Sequence, residues 1–258
     1  MSAMVAESRH LSARGIRALL RQPWYVAVTL VQPVIWLLLF GQLFKRVVEL
    51  PGFAGGSYIA FLTPGIVVMT ALFSSGWAGM GFIQDMDRGV MDRFLVTPAR
   101  RGSLIAGSLG MQSVTLLVQS LIIIGLGLAT GARFPGGVPV MLVFLVAAVL
   151  LGTAFASYSN ALALTVRREE SVIAAVNFLV LPLSFLSATL LPTSLQPGWM
   201  QNVSKFNPVN WAVEVGQQTL HSDVDWGIVF SRIGGLVALA VACGWLSTRA
   251  FRAYQRSV

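Results

Sequence analysis

Six apolar stretches, each long enough to cross a bilayer, leave this chain little else to fold into. They read as spans at residues 24–44, 58–83, 104–130, 138–164, 172–191 and 227–248. Each offers about 20 residues or more, which at about 1.5 Å per residue covers the ~30 Å hydrocarbon core. The expected fold is an all-α integral membrane protein with six transmembrane helices. With 55% hydrophobic and 11% charged residues and a mean hydropathy of +0.74, a water-soluble domain of this size would lack polar surface. The spans and their connections use nearly all of residues 1–258, which read as one transmembrane domain.

Orientation follows from Lys and Arg. Arg9, Arg14, Arg17 and Arg21 precede the first span, and Arg88, Arg93, Arg100 and Arg101 follow the second. Arg167 and Arg168 follow the fourth, while Arg249, Arg252 and Arg256 follow the last. The opposite side holds Lys45, Arg46, Arg133, Lys205 and Arg232. Both termini are therefore expected in the cytoplasm, below a cell inner (plasma) membrane, with the segment between the fifth and sixth spans outside. The net charge of +8 is accounted for by basic residues meeting anionic headgroups. No basic region is interleaved with aromatics for base stacking, so membrane lipid is an expected partner and nucleic acid is not.

The first apolar stretch is too long for the h-region of a cleaved signal, and no small-residue cleavage site follows it. Residues 7–21 read instead as an amphipathic surface helix: His10, Arg14, Arg17 and Arg21 share one face, and Ala13, Ile16 and Leu20 form the other. Pro23 ends it before the first span. Such a helix suits either a plain membrane anchor or a mechanical role. Cys243, the single cysteine, lies in the last span and reads as a packing residue without a disulfide partner. No Gly-Lys-Ser or Gly-Lys-Thr occurs, so there is no phosphate-binding loop of the Walker type.

The most specific stretch is residues 84–101, QDMDRGVMDRFLVTPARR. It is dense in charge yet places Met86, Val90 and Phe94 at i, i+4 and i+8, one apolar stripe on a short helix over 84–98. Pro98 ends that helix, and Arg100 and Arg101 mark the membrane surface. An apolar ridge with charged flanks suits a groove on a cytoplasmic partner; a solvated loop with a chance periodicity is the plainer alternative.

This segment resembles the first cytoplasmic loop of ABC transporter permeases of the type-2 exporter class, especially the daunorubicin-resistance-like permeases. In those an acidic residue, a Gly-Thr pair, a Glu, a Leu and Thr-Pro occur in order. Here Asp85, Gly89, Asp92, Leu95, Thr97 and Pro98 match those positions, with Val90 in place of the Thr and Asp where Glu is more usual. Arg21-Gln22-Pro23, FLTPG at 61–65 and LLPTSLQPGWM…FNPVNW over 190–211 extend the resemblance along the chain. The resemblance implies a pathway formed by two permeases, a second copy or a paralogue, with two separate ABC ATPase subunits beneath them. ATP and Mg would bind those ATPase chains and no cofactor this one. Residues 84–98 would be the coupling helix, 7–21 an interface helix beside it, and the direction of transport outward.

Residues 192–225 are punctuated by Pro192, Pro197 and Pro208, yet Trp199, Met200, Val203, Phe206, Trp211, Val213 and Val215 are too apolar for a solvated loop. Short re-entrant helices are expected there, serving as an external gate or as an aromatic anchor at the headgroups. No Asp or Glu occupies the middle of a span, where ion-driven transporters place a coupling group. Gln112, Gln119, Tyr158, Asn160 and Asn177 read as helix-packing polar residues. His10 and His221 fall on opposite sides, so neither a metal site nor a buried catalytic base is expected, and no catalytic residue is assigned.

Two classes of function fit: a non-enzymatic permease of an ATP-driven exporter, or a membrane scaffold or lipid transferase. Within the first, an amphipathic drug or lipid-like cargo is favoured over a cell-wall polysaccharide or glycolipid. Phe73 and Trp77 of the second span and Asn177, Phe178, Leu181 and Phe185 of the fifth offer apolar contact and few sugar-binding groups. If the Met86–Val90–Phe94 ridge seats in an ATPase groove, Phe94→Ala weakens assembly by about 2 kcal/mol. Co-purification of the pair after membrane extraction measures this, and undiminished recovery would show the stripe to be incidental.

Overall fold

The computed structural model describes residues 23–49, 57–89 and 101–255. The interface helix expected at 7–21, with Arg14, Arg17 and Arg21, lies outside them, as do Val90, Asp92, Phe94, Leu95, Thr97 and Pro98. Among the described residues the chain is helical and contains no strand. The helices are α1 (Pro23–Leu43), α2 (Tyr58–Gly76), α3 (Met80–Asp87), α4 (Arg101–Ala129), α5 (Gly137–Val166), α6 (Glu169–Phe185), α7 (Gly198–Ser204), α8 (Pro208–Gln217) and α9 (Trp226–Gln255). Among the described residues, four stretches are long and apolar enough to cross a membrane: Tyr58–Asp87, Ile105–Ala129, Gly137–Val166 and Trp226–Tyr254.

Two expected spans depart from the hydropathy reading. The second is interrupted after Gly76 and resumes as α3. The fifth, expected over 172–191, is helical only from Glu169 to Phe185, 17 residues. Pro182 cannot donate to the preceding turn, and the chain closes at Leu186, whose N–H bonds to the Pro182 carbonyl at 2.9 Å. Residues 186–191 continue in turns.

α2 is the hub. It packs against α1, α4, α5, α6 and α8 and is buried along almost its whole length. An all-round apolar helix with Ala60, Gly65, Ala71 and Gly76 on its surface allows close approach from every side. Its polar residues do not oppose this, because Thr63 and Thr70 turn their hydroxyls back to the Ile59 and Ile66 carbonyls, both at 2.7 Å. α1 meets the start of α2 through a ladder of rings, Trp36–Phe40–Phe44–Tyr58–Phe61, with centroids 5.7–6.1 Å apart. α9 is the outermost helix and rests chiefly on α5; at their C-terminal ends the Arg167 guanidinium stacks over Tyr254, 4.6 Å from the ring centroid.

The 186–191 turns are held by side chains from elsewhere. Asn207 caps α8 by accepting the Val209 N–H at 2.9 Å, and Pro208 at the first helical position suits that start. The same Asn207 amide donates to the Leu183 and Leu186 carbonyls at 2.7 and 3.0 Å. Asn210, fully buried, accepts the Ala188 N–H at 2.9 Å and donates to Glu214 at 2.8 Å. Glu214 pairs with Arg232 of α9 at 2.6 Å. Tyr58 donates to the Leu190 carbonyl at 2.9 Å. Of the apolar residues singled out in this region, Val213 and Val215 are buried while Trp199, Val203 and Phe206 are exposed.

Asn207→Ala removes the cap and both carbonyl partners together, a loss of about 2 kcal/mol or more in stability. Thermal unfolding of the detergent-solubilised chain measures it; a midpoint equal to the parent's would refute the bracing role.

Candidate transport site and coupling segment

The interruption in α2 is built from three residues. The Ser159 hydroxyl of α5 donates to the Gly76 carbonyl and accepts the Gly79 N–H at 3.0 Å. One buried hydroxyl thus serves both backbone groups that the break releases. Glycine is required by proximity: a Cβ on Gly76 would lie 2.6 Å from Val176 Cγ1 of α6, and one on Gly79 would run into the Ser159 carbonyl. α2 is thereby clamped between α5 and α6 where it bends.

Beyond the break, α3 carries the first of the residues assigned to coupling. Phe82 and Ile83 are buried, Asp85 and Met86 half-buried, and Gln84 and Asp87 exposed. Gly89 takes φ 64° and its N–H bonds to the Met86 carbonyl at 3.0 Å, a left-handed stop that only glycine adopts freely. α3 thus ends at Asp87, and most of the stretch expected as one helix over 84–98, from Val90 onward, lies outside the described residues.

Phe73 and Trp77 line a cavity of about 280 Å³ between α1, α2 and α4. α1 supplies Thr29, Gln32, Pro33 and Trp36, α2 adds Met69, Thr70 and Ser74, and α4 adds Gln119. Gln119 donates to Thr29 Oγ1 at 3.1 Å, and Gln112 donates to Ser74 Oγ at 3.2 Å. Among the described residues, no charged side chain lines the space.

Asn177, Leu181 and Phe185 lie elsewhere. Val172, Val176, Val180 and Ser184 form the buried side of α6, and Phe178, Leu181 and Phe185 are 82%, 44% and 60% exposed on the other. Asn177 is half-buried at the edge of that face. None of these lines the α1–α2–α4 cavity, so the structure does not bring the two halves of the expected pathway into one space within this chain. Phe185 instead borders a smaller cavity of about 160 Å³ with Ser184, Ser187, Gln196 and Met200. Thr29, Gln32 and Trp36 were not singled out from sequence, though two polar residues three apart in an apolar span were a readable signal; Ser159 had none. Among the described residues no group of His, Cys, Asp and Glu could hold a metal ion.

Comparison with known proteins identifies relatives. The family description "ABC-2 type transporter" matches residues 7–220. The ycf38 transport permease of Cyanophora paradoxa is 31% identical over 195 residues, 75% of this chain and 67% of that protein. The daunorubicin resistance ABC transporter permease protein DrrB1 of Streptomyces coeruleorubidus is 29% identical over 235 residues, 88% of this chain and 80% of that protein.

Ser159→Ala strands the Gly76 carbonyl and the Gly79 N–H in a buried site and lowers stability by about 1–3 kcal/mol. Hydrogen exchange at residues 76–80, compared with a distant segment of α5, reads the effect locally. Equal exchange in both proteins would show that the hydroxyl does not hold the bend.

Proposed function

This chain belongs to the ABC-2 type transporter family, and from that premise we propose that it is the permease subunit of an ATP-driven exporter of an amphipathic drug or lipid-like molecule. Two copies, or this chain with a paralogue, form the pathway. All six apolar stretches cross the inner membrane, both termini are cytoplasmic, and residues 192–225 dip into the outer leaflet. Two separate ABC ATPase chains bind ATP and Mg and work on the segment from Asp85 to Pro98, including Met86, Gly89, Val90, Asp92, Phe94, Leu95 and Thr97. The 7–21 helix, through Arg14, Arg17 and Arg21, packs beside it.

The observation that supports an apolar cargo is the absence of charge along both candidate surfaces. Among the described residues, the cavity at Phe73 and Trp77 has no ionised lining residue, and the face formed by Phe178, Leu181 and Phe185 is apolar and largely uncovered in the single chain. A second copy or cargo covering that face gains the burial of two aromatic rings. No Asp or Glu stands in the middle of a span to bind a coupling ion, which supports ATP rather than an ion gradient as the driving force. Selectivity then rests on shape and apolar contact at Phe73, Trp77, Asn177, Leu181 and Phe185.

Export assays in inside-out vesicles containing the chain and its ATPase test this reading. Transport persists when a protonophore collapses the proton gradient with ATP maintained, and stops with an ATPase inhibitor. Phe185→Ala or Asn177→Ala shifts the order of preference among amphipathic substrates by about tenfold while folding is retained, the effect of about 1.4 kcal/mol of differential contact. Transport abolished by the protonophore at constant ATP would overturn the mechanism, and an unchanged preference in both variants would move the pathway off α6.

A further inference from the structure

Gln119 is 1% exposed, sits in α4 and borders the α1–α2–α4 cavity. Its Nε2 is satisfied by Thr29, but its Oε1 is buried without a hydrogen-bond partner. A buried carboxamide oxygen without a donor is unfavourable in a protein interior and more so within a membrane. The chemistry that completes it is an O–H or N–H group. Around it Trp36, Phe73 and Trp77 provide ring surfaces, which hold apolar carbon next to a polar tip.

The lining also states what is refused. Among the described lining residues an ammonium ion would find no carboxylate and a carboxylate no cation, so a charged group would be desolvated without compensation. At about 280 Å³ the space falls at the lower edge of ligand sites, which run about 300–1,000 Å³. It therefore admits one end of a molecule. Gln32 and Trp77, both lining and both exposed, mark where the remainder emerges.

We propose that this cavity binds the neutral, hydroxyl- or amide-bearing end of an amphipathic molecule, with Gln119 accepting its hydrogen bond and Trp36, Phe73 and Trp77 enclosing the adjoining apolar carbons. That the occupant is cargo rests on the export reading; that the cavity selects a neutral donor does not. Gln119 is thus a specificity-determining residue on a helix that the expected pathway did not include.

The test uses the full chain in phosphatidylcholine nanodiscs and three probes that differ at one group: 3-bromo-5-hexylbenzyl alcohol, its methyl ether and the corresponding benzylamine. Bromine quenches nearby tryptophan, so binding is read from fluorescence, with a Trp36→Phe, Trp77→Phe double variant confirming the location. The alcohol binds about tenfold more tightly than the ether, the size expected for one buried hydrogen bond, and more tightly than the amine. In Gln119→Leu the alcohol and ether converge to within about twofold. Equal affinities for alcohol and ether in the parent protein, tighter binding of the amine, or an alcohol preference that survives Gln119→Leu would each overturn the proposal. The parent comparison decides even if the variant does not fold. Because no ATPase is present, a failed alcohol preference leaves the vesicle result untouched, and failed ATP-driven export leaves the binding result untouched.

Discussion

A peptide group inside a bilayer has no water to turn to, and that constraint shapes the two breaks in helix described at 76–79 and 186–191. Where α2 breaks, Ser159 of α5 takes both released groups. Where α6 stops short, Asn207 and Asn210 of the α7–α8 region and Tyr58 of α2 take up the carbonyls and N–H groups of the turns that follow. Each repair comes from a residue far away in sequence. The irregular points are therefore also where separate helices are tied together, and the fold's tertiary specificity is concentrated at them more than along its apolar faces.

Hydropathy reads an unbroken apolar run as an unbroken helix, which explains both what sequence shows here and what it hides. The existence and order of the long helices follow from apolar length alone. The stop after Phe185 does not, because Leu186, Ala188, Leu190 and Leu191 are as apolar as the helix before them, and apart from the Pro182 carbonyl the groups that satisfy their backbone lie beyond residue 195 or back at Tyr58. The bend at Gly76 and Gly79 was equally concealed: two glycines in an apolar stretch are common, and Ser159 sits in a run of small residues with no local signature. Gly89 stands in a family pattern, while its consequence, a left-handed turn just after α3, is conformational. At the candidate site Phe73 and Trp77 were legible as aromatics on a span. Their partners Thr29, Gln32 and Gln119 become neighbours only through the pairing of α1, α2 and α4.

In the export reading this geometry has a mechanical meaning. A force applied to the segment after Gly89 reaches the membrane through α3 and then through the clamped bend at 76–79, not along a rigid rod. The bend faces α6 on one side through Gly76 and Val176, and the cavity reaches the bend itself at Trp77. One small rotation there is positioned to alter both surfaces that the chain offers to an amphipathic molecule, even though these surfaces are separate within the single chain.

α5 and α9 add a dependence of another kind. Each is 30 residues long, about 45 Å at the usual helical rise, against a hydrocarbon core of about 30 Å. The pair must tilt, project beyond the membrane, or thicken the lipid around it. They run in parallel and are pinned together at one end by Arg167 over Tyr254 and connected near the other to α8 through Arg232 and Glu214. The extensive α5–α9 contact ties the two inclinations together, and Arg232 links α9 to α8. A mismatch between helix length and bilayer thickness therefore bears on α5 and α9 together.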